Sequence, residues 1–288
     1  MTEPGPAAAK PGPENLKPEL AASGVDPAKI EADRRWNSLL WEAGGNVLRN
    51  KLGVKDWQQL RTTEYKLRAM RQGEIERGEV NIARTFDETH LKAIHEHLFQ
   101  DLYDWAGKFR DVDLQKNGQG FLSHERTTEW MSRVSAAAQS TDWPNLSRDE
   151  FVRRIADVHA QLNCAHPFRE GNGASTKLFL RQLADKTPYR LDFDRVEKTE
   201  WDRAAYESMT DPDRTGTLLP EKLEPVFDRI VVERDPRPVA LDPELAKAIQ
   251  LQNSAYPSVS TEQSGPSTEQ SAAQPQTVSL TKASEREV

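Results

Sequence analysis

LSRDEFVRRIADVHAQL, residues 146–162, carries a complete helix start followed by a helical stripe. Ser147 and Glu150 have the spacing of a capping box, in which each side chain satisfies an orphan backbone N–H of the other residue. Leu146 and Phe151 occupy the two hydrophobic-staple positions. Phe151, Ile155, Val158 and Leu162 then recur on one helix face. A second box, Thr85-Phe-Asp-Glu88, stands ahead of Leu91, Ile94 and Leu98. Upstream, Asp56–Arg71 repeats Trp57, Leu60, Tyr65, Leu67 and Met70. Trp36, Leu39, Leu40, Ala43 and Val47 form an earlier stripe, interrupted near Gly44–Gly45. These patterns predict an all-α core.

Outward from the core the composition changes. Residues 1–29 are rich in Pro, Ala and Gly, and 252–288 form a Ser/Thr/Gln/Pro tract. Neither can bury enough apolar surface to offset its ordering entropy, so both ends are expected to be disordered. The reading is a disordered 1–29, a single domain over 30–235 and a polar, disordered tail over 236–288. The 7 Trp and 9 Phe all fall between the two ends, which is ample for one core.

A net charge of −7 does not favour a nucleic-acid partner. The chain has no apolar run long enough for a membrane span and no N-terminal apolar segment of the secretory kind. The lone Cys164 rules out an internal disulfide and fits a reducing compartment. The expected location is the cytoplasm, and the polar tail leaves export or partner binding open.

Phe109–Phe121, FRDVDLQKNGQGF, departs from the helical pattern. Val112 and Leu114 alternate with charged neighbours ahead of Asn117-Gly118, a short hairpin signal. It reads as a connecting turn or as a flap that offers a strand edge to an extended peptide.

Residues 158–183, VHAQLNCAHPFREGNGASTKLFLRQL, carry the chemistry. Pro167 disfavours helix in the residue before it, so the first helix should stop near Ala165. Gly171 and Gly173 then make a tight loop, and the apolar pattern resumes at Leu178, Phe179 and Leu183. Such a loop aims the free N–H groups of the second helix at an anion. His166 can accept a proton near neutral pH. Glu170 suits one position on a magnesium ion that keeps most of its waters. The Asn172 amide can donate to a phosphate oxygen. The set reads as a phosphoryl or nucleotidyl transfer site, or as a Gly-rich helix cap with a surface His and Glu.

His166-Pro-Phe-Arg-Glu-Gly-Asn-Gly173 resembles the core motif of the Fic (Fic/Doc) family, HPF-x-[D/E]-GNGR-x-x-R. Leu48-Arg-Asn-Lys-Leu-Gly53 resembles the family's opening segment, and Trp105-Ala-Gly-Lys-Phe-Arg110 its approach to the flap. The likeness spans roughly Trp41 to Val231, most of the part expected to be ordered. It implies a Fic-type helical bundle with a small β-hairpin flap, acting as a magnesium-dependent protein adenylyltransferase. His166 would deprotonate a Ser, Thr or Tyr hydroxyl of a target protein, and that oxygen would attack the α-phosphate of ATP. Glu170 would hold Mg2+, while Asn172 and the N–H groups of Gly171 and Gly173 would cradle phosphates. Phe168 would be buried. The flap, Arg110–Phe121, would pair with the target's backbone.

Two positions depart from the family pattern: GNGAxxK replaces GNGRxxR. Lys177 keeps a charge without the planar fork, and Ala174 keeps nothing. Each lost charge-assisted bond commonly costs about 1.5–3 kcal/mol, or roughly 10- to 150-fold. Arg169, Arg181 and Lys186 are candidate substitutes. The alternatives are therefore another nucleotide donor on the same fold, or a catalytically weakened protein-binding module. Many members carry an inhibitory [S/T]-x-x-x-E-[G/N] helix. Here Glu precedes Gly or Asn only at Glu14 and Glu170, with Lys10 and His166 four residues earlier. The resemblance then points to the toxin-like class, with a separate antitoxin protein, or to a member needing no inhibitor.

Other features read as structural. His95 and His97 do not share a helix face and read as helix decoration. His159 and Cys164 read as core, and Trp143-Pro144 as a turn. Lys116 and His124 flank the hairpin, where they could touch nucleotide or target.

Overall fold

The helix opened by Ser147 is the central strut of the fold. In the computed structural model, which describes residues 27–116, 118–209 and 217–234, this helix runs Arg148–Ala165. Both halves of its capping box are made, with Ser147 N–H donating to Glu150 Oε2 at 3.0 Å. Phe151, Ile155, Val158 and Leu162 are fully buried, each contributing about 1.5–3 kcal/mol.

Eight α-helices occur among the described residues. They are α1 (Pro27–Ser38), α2 (Trp57–Glu76), α3 (Glu88–Phe99), α4 (Thr127–Ser140), α5 (Arg148–Ala165), α6 (Asn172–Ala184), α7 (Lys198–Glu207) and α8 (Glu224–Ile230). Among the described residues, strands are confined to two small sheets, β1 (Gln115–Lys116) with β2 (Gln119–Gly120), and β3 (Tyr189–Leu191) with β4 (Val231–Glu233). The all-α expectation with a small hairpin holds. α5 packs against α4, α6 and α8, and α3 packs against α2 and α6, so α6 lies between the two groups. The expected disorder of 1–29 and 236–288 falls outside the described residues, apart from 27–29, which open α1.

Two local expectations need correction. The cap of α3 is Asp87, not Thr85: Asp87 Oδ1 accepts the His90 N–H at 3.1 Å, and the Thr85 hydroxyl donates to that same carboxylate at 2.5 Å. The nearer carboxylate takes the capping role and Thr85 buttresses it. The Trp36–Val47 stripe is not one helix. α1 stops at Ser38, Gly44 turns the chain at φ +75°, and Leu40 and Leu48 form an antiparallel bridge.

The hairpin pairs Gln115 with Gly120 and Lys116 with Gln119. Gly118 sits at φ +80°, as a tight turn requires. Asn117 lies outside the described residues. The strands are shorter than the alternation suggested, because Val112 is buried below the ladder rather than in it.

Candidate active site

His166 is where α5 ends. It caps the helix in the left-handed region (φ 39°, ψ 58°), and its N–H still donates to Leu162 O at 3.0 Å. Pro167 cannot continue the helix, so the chain breaks away with the imidazole at the corner. The ring stacks on Phe121 of the flap, with centroids 3.8 Å apart and planes 15° from parallel. Burial, then the cations of Arg110 and Lys116, push its pKa down to about 3. The imidazole is therefore neutral and able to accept a proton across the physiological range.

The loop after His166 is clamped from within. Phe168 is fully buried, as expected. Asn172 accepts the Phe168 N–H at 2.8 Å and donates to Phe168 O at 2.7 Å. Both ends of the amide therefore close the loop, a role the motif does not reveal, and the clamp uses one of the two N–H donors of Nδ2. Gly171 has φ +80°, and a Cβ there would overlap the Phe99 ring. Glu170 is half-buried, and its Oε1 accepts the Gly171 N–H at 3.1 Å. The first turn of α6 leaves the N–H groups of Asn172, Gly173 and Ala174 without intrahelical partners, which makes an anion-facing end.

His95 is not helix decoration. It is fully buried, stacked on Phe168 (3.8 Å, 15°) and on Phe99 (4.7 Å, 30°). Its Nδ1 accepts the Gly107 N–H at 2.9 Å, so the proton resides on Nε2, which donates to Glu170 O at 3.0 Å. Burial keeps it neutral, with its pKa lowered to about 4. His95 thus ties the carboxylate-bearing loop to the turn that leads to the flap. Exchanging His95 for Phe keeps the stack and orphans both backbone groups, at about 1–3 kcal/mol each. The expected result is a lower urea midpoint with an unchanged m-value.

The cations sort themselves by partner. Lys177 Nζ lies over Phe193 (5.3 Å) and Trp201 (5.6 Å), and burial lowers its pKa. Arg181 shares the Phe193 face and pairs with Glu76 at 3.2 Å. Arg169 stacks on Trp36 at 4.1 Å, and Lys186 lies over Phe86 at 4.5 Å. Of the three candidate substitutes, Arg181 is the one that shares a ring with Lys177.

Sequence reasoning missed Glu64 of α2. Its carboxylate accepts the Tyr103 O–H at 2.6 Å. Burial first, and the Glu170 charge second, raise its pKa to about 7. The i, i+4 pairing with Arg68 was legible, but nothing local marks a carboxylate that reaches Glu170. Elsewhere, His159 and Cys164 are core residues, as read. Trp143 is more than a turn: it is buried and donates to Ala138 O at 2.7 Å. His124 pairs with Asp113 at 2.8 Å, and Lys116 lies 3.9 Å from Asp202. His97 pairs with Glu74 at 2.9 Å.

The segment that carries these residues is the one that known proteins resemble. The family model described as Fic/DOC family matches residues 85–184, which contain α3, the flap, α5 and the motif loop. Protein adenylyltransferase VbhT of Bartonella schoenbuchensis is 37% identical over 163 residues, which is 56% of this chain and 34% of that protein. The probable protein adenylyltransferase Fic of Escherichia coli is 31% identical over 162 residues, covering 56% of this chain and 79% of that one. This chain thus spans about a third of VbhT but most of the Escherichia coli protein. Among solved structures, BepC of Bartonella tribocorum with bound AMPPNP superposes with a TM-score of 0.60 at 23% identity, covering 69% of this chain and 98% of that one. The N-terminal Fic domain of a Bep effector from Bartonella sp. AR 15-3 gives 0.60 at 25% identity, covering 67% and 91%. With the left-handed His166, the clamped loop and the flap all inside or beside the matched segment, the chain belongs to the Fic/DOC family.

Proposed function

We propose that this chain is a protein adenylyltransferase, moving AMP from ATP to a Ser, Thr or Tyr hydroxyl of a target protein. One observation carries the reading: a neutral imidazole is held at the corner between a strand-bearing flap and an anion-facing helix start. His166 takes the hydroxyl proton, and the freed oxygen forms a bond to the α-phosphorus. The bond to the β-phosphate oxygen breaks, and pyrophosphate leaves. The N–H groups at the start of α6 hold phosphate oxygens in place.

The residues present fit a magnesium ion. Glu170 offers one half-buried carboxylate on the loop just before the anion-facing start of α6. That suits a cation which keeps its waters and takes phosphate oxygens. Bound there, Mg2+ would neutralise charge on the α- and β-phosphates.

Mass spectrometry of the wild type and His166→Ala, each incubated with Mg2+ and ATP, GTP, UTP or CTP, tests the reading. An AMP adduct present in the wild type and absent in the variant supports it. An adduct from another donor would replace ATP in the proposal. Lys177 favours that second reading, because its ammonium rests against two aromatic faces and no cation stands at Ala174. Restoring the family pattern with Ala174→Arg and Lys177→Arg is expected to raise labelling from ATP by roughly 10- to 150-fold. Steady-state rates of both proteins check it.

We assign the chain to the toxin-like class, regulated by a separate antitoxin protein. The support is the lack of the inhibitory pattern at Glu14 and Glu170, where Lys10 and His166 occupy the required Ser or Thr position.

A further inference from the structure

We infer that Arg110 is a positioning residue that joins the flap to the base-bearing loop, so that a backbone docked on the flap and the His166 imidazole keep a fixed separation. This rests on the reading of His166 as the base. The Arg110 side chain has 0% exposure. Its guanidinium is spent on backbone carbonyls: Nε donates to His166 O at 2.8 Å, Nη1 to Val112 O at 2.7 Å, and Nη2 to Ala165 O at 3.3 Å and to Leu122 O. Its backbone N–H donates to Pro167 O at 2.8 Å.

Those carbonyls form two sets. Ala165, His166 and Pro167 are the corner itself, and Val112 and Leu122 are the two feet of the flap. A second seam runs alongside. Leu122 N–H donates to Cys164 O at 3.1 Å and the Phe121 ring covers the imidazole, while Phe121 N–H closes the flap on itself by donating to Leu114 O at 3.0 Å. Flap and corner cannot move apart without breaking several buried bonds at once.

The choice of arginine is physical. Only a planar fork with five donors reaches carbonyls on both sides of the seam, and its charge cannot be discharged by deprotonation. Asp113, 66% exposed, lies 3.6 Å from the guanidinium, and the carbonyl dipoles of His166, Val112, Leu122 and Ala165 face it as acceptors. A lysine has one compact head and cannot span the seam. The fixed cation also opposes protonation of the neighbouring imidazole, as does Lys116 from β1.

The test uses the full chain labelled with 13C and 15N at histidine, with the His166 resonance assigned by its loss in His166→Asn. Wild type, Arg110→Lys and Phe121→Leu are compared by imidazole NMR, by binding of a fluorescent ATP analogue with Mg2+, and by the rate of self-labelling. Arg110→Lys keeps the charge and a folded core, so it decides. Expected are analogue binding within about twofold of wild type, self-labelling slower by about 10- to 100-fold, and a broadened or split His166 resonance. Phe121→Leu is expected to disturb the same resonance through the lost stack. A sharp, unshifted His166 signal in folded Arg110→Lys overturns the inference. So does a parallel loss of analogue binding and turnover with a lower thermal midpoint, which is the mark of a merely structural arginine. The NMR readout stands whichever donor labels the protein, so a failure of the transfer reading is distinguishable from a failure of this one.

Discussion

Replacing His166 by Asn is expected to lower nucleotidyl transfer by about 10²- to 10⁴-fold, the range set by losing a positioned general base. Asn is the informative substitution because residue 166 sits at φ 39°, where Asn is among the better-tolerated L-residues. Ala at the same place would add backbone strain to the chemical loss. The fold should persist in either case: the ring contributes one stack on Phe121 and one bond to the Asn163 backbone, while α5 keeps its capping box and its buried stripe. The pH profile separates the roles. A base whose pKa is held near 3 is deprotonated throughout the neutral range, so its acid limb in kcat/KM lies far below the ordinary 6.5. The rate falls as pH drops toward that value, because an imidazolium cannot accept the hydroxyl proton. A limb near 7 belongs instead to Glu64, whose ionisation places a second negative charge near Glu170. Glu64→Gln is expected to erase that limb and leave the acid limb in place.

How legible each part was depended on the distance over which its partners act. The Ser147 box, its staple and the α5 stripe are local, and the structure reproduces them. The Thr85 box failed because a four-residue pattern cannot tell which of two neighbouring oxygens reaches the N–H; Asp87 is closer and charged. The motif from His166 to Gly173 was legible because its residues are contiguous. Yet the same contiguity hid the loop clamp made by Asn172, whose amide bonds the Phe168 backbone at both ends. His95 was invisible as a site residue, and Arg110 was legible only as the first residue of the flap. The first bonds a carbonyl 75 residues away, and the second one 56 residues away. His95 and His97 do diverge, as i and i+2 must, one toward Phe168 and the other toward Glu74. Diverging from a neighbour, however, does not place a side chain at the surface.

Substituting Ala for Gly171 is expected to destabilise the protein and to silence the site together. Two costs act at the same atom. At φ +80° an L-residue pays about 1–2 kcal/mol. The added Cβ also overlaps Phe99, and forcing a methyl into a packed core costs about 1–3 kcal/mol. Phe99 cannot swing clear, because it is fully buried and stacked on His95 and Tyr103. Together these should lower the thermal midpoint by roughly 4–20 °C for a domain of this size. Relief would come from moving the loop instead, which shifts Glu170 and the first turn of α6, and a displacement of about 1 Å can cost 10²-fold in rate. A double-mutant cycle with Phe99→Leu separates the two costs. If overlap dominates, the smaller side chain makes room, and Gly171→Ala is far less damaging in the Phe99→Leu background than in the wild type. If backbone strain dominates, the two changes add, because no space around residue 171 alters the energy of its own φ. The geometry favours a large coupling, since the overlap involves ring carbons and the ring has nowhere to go.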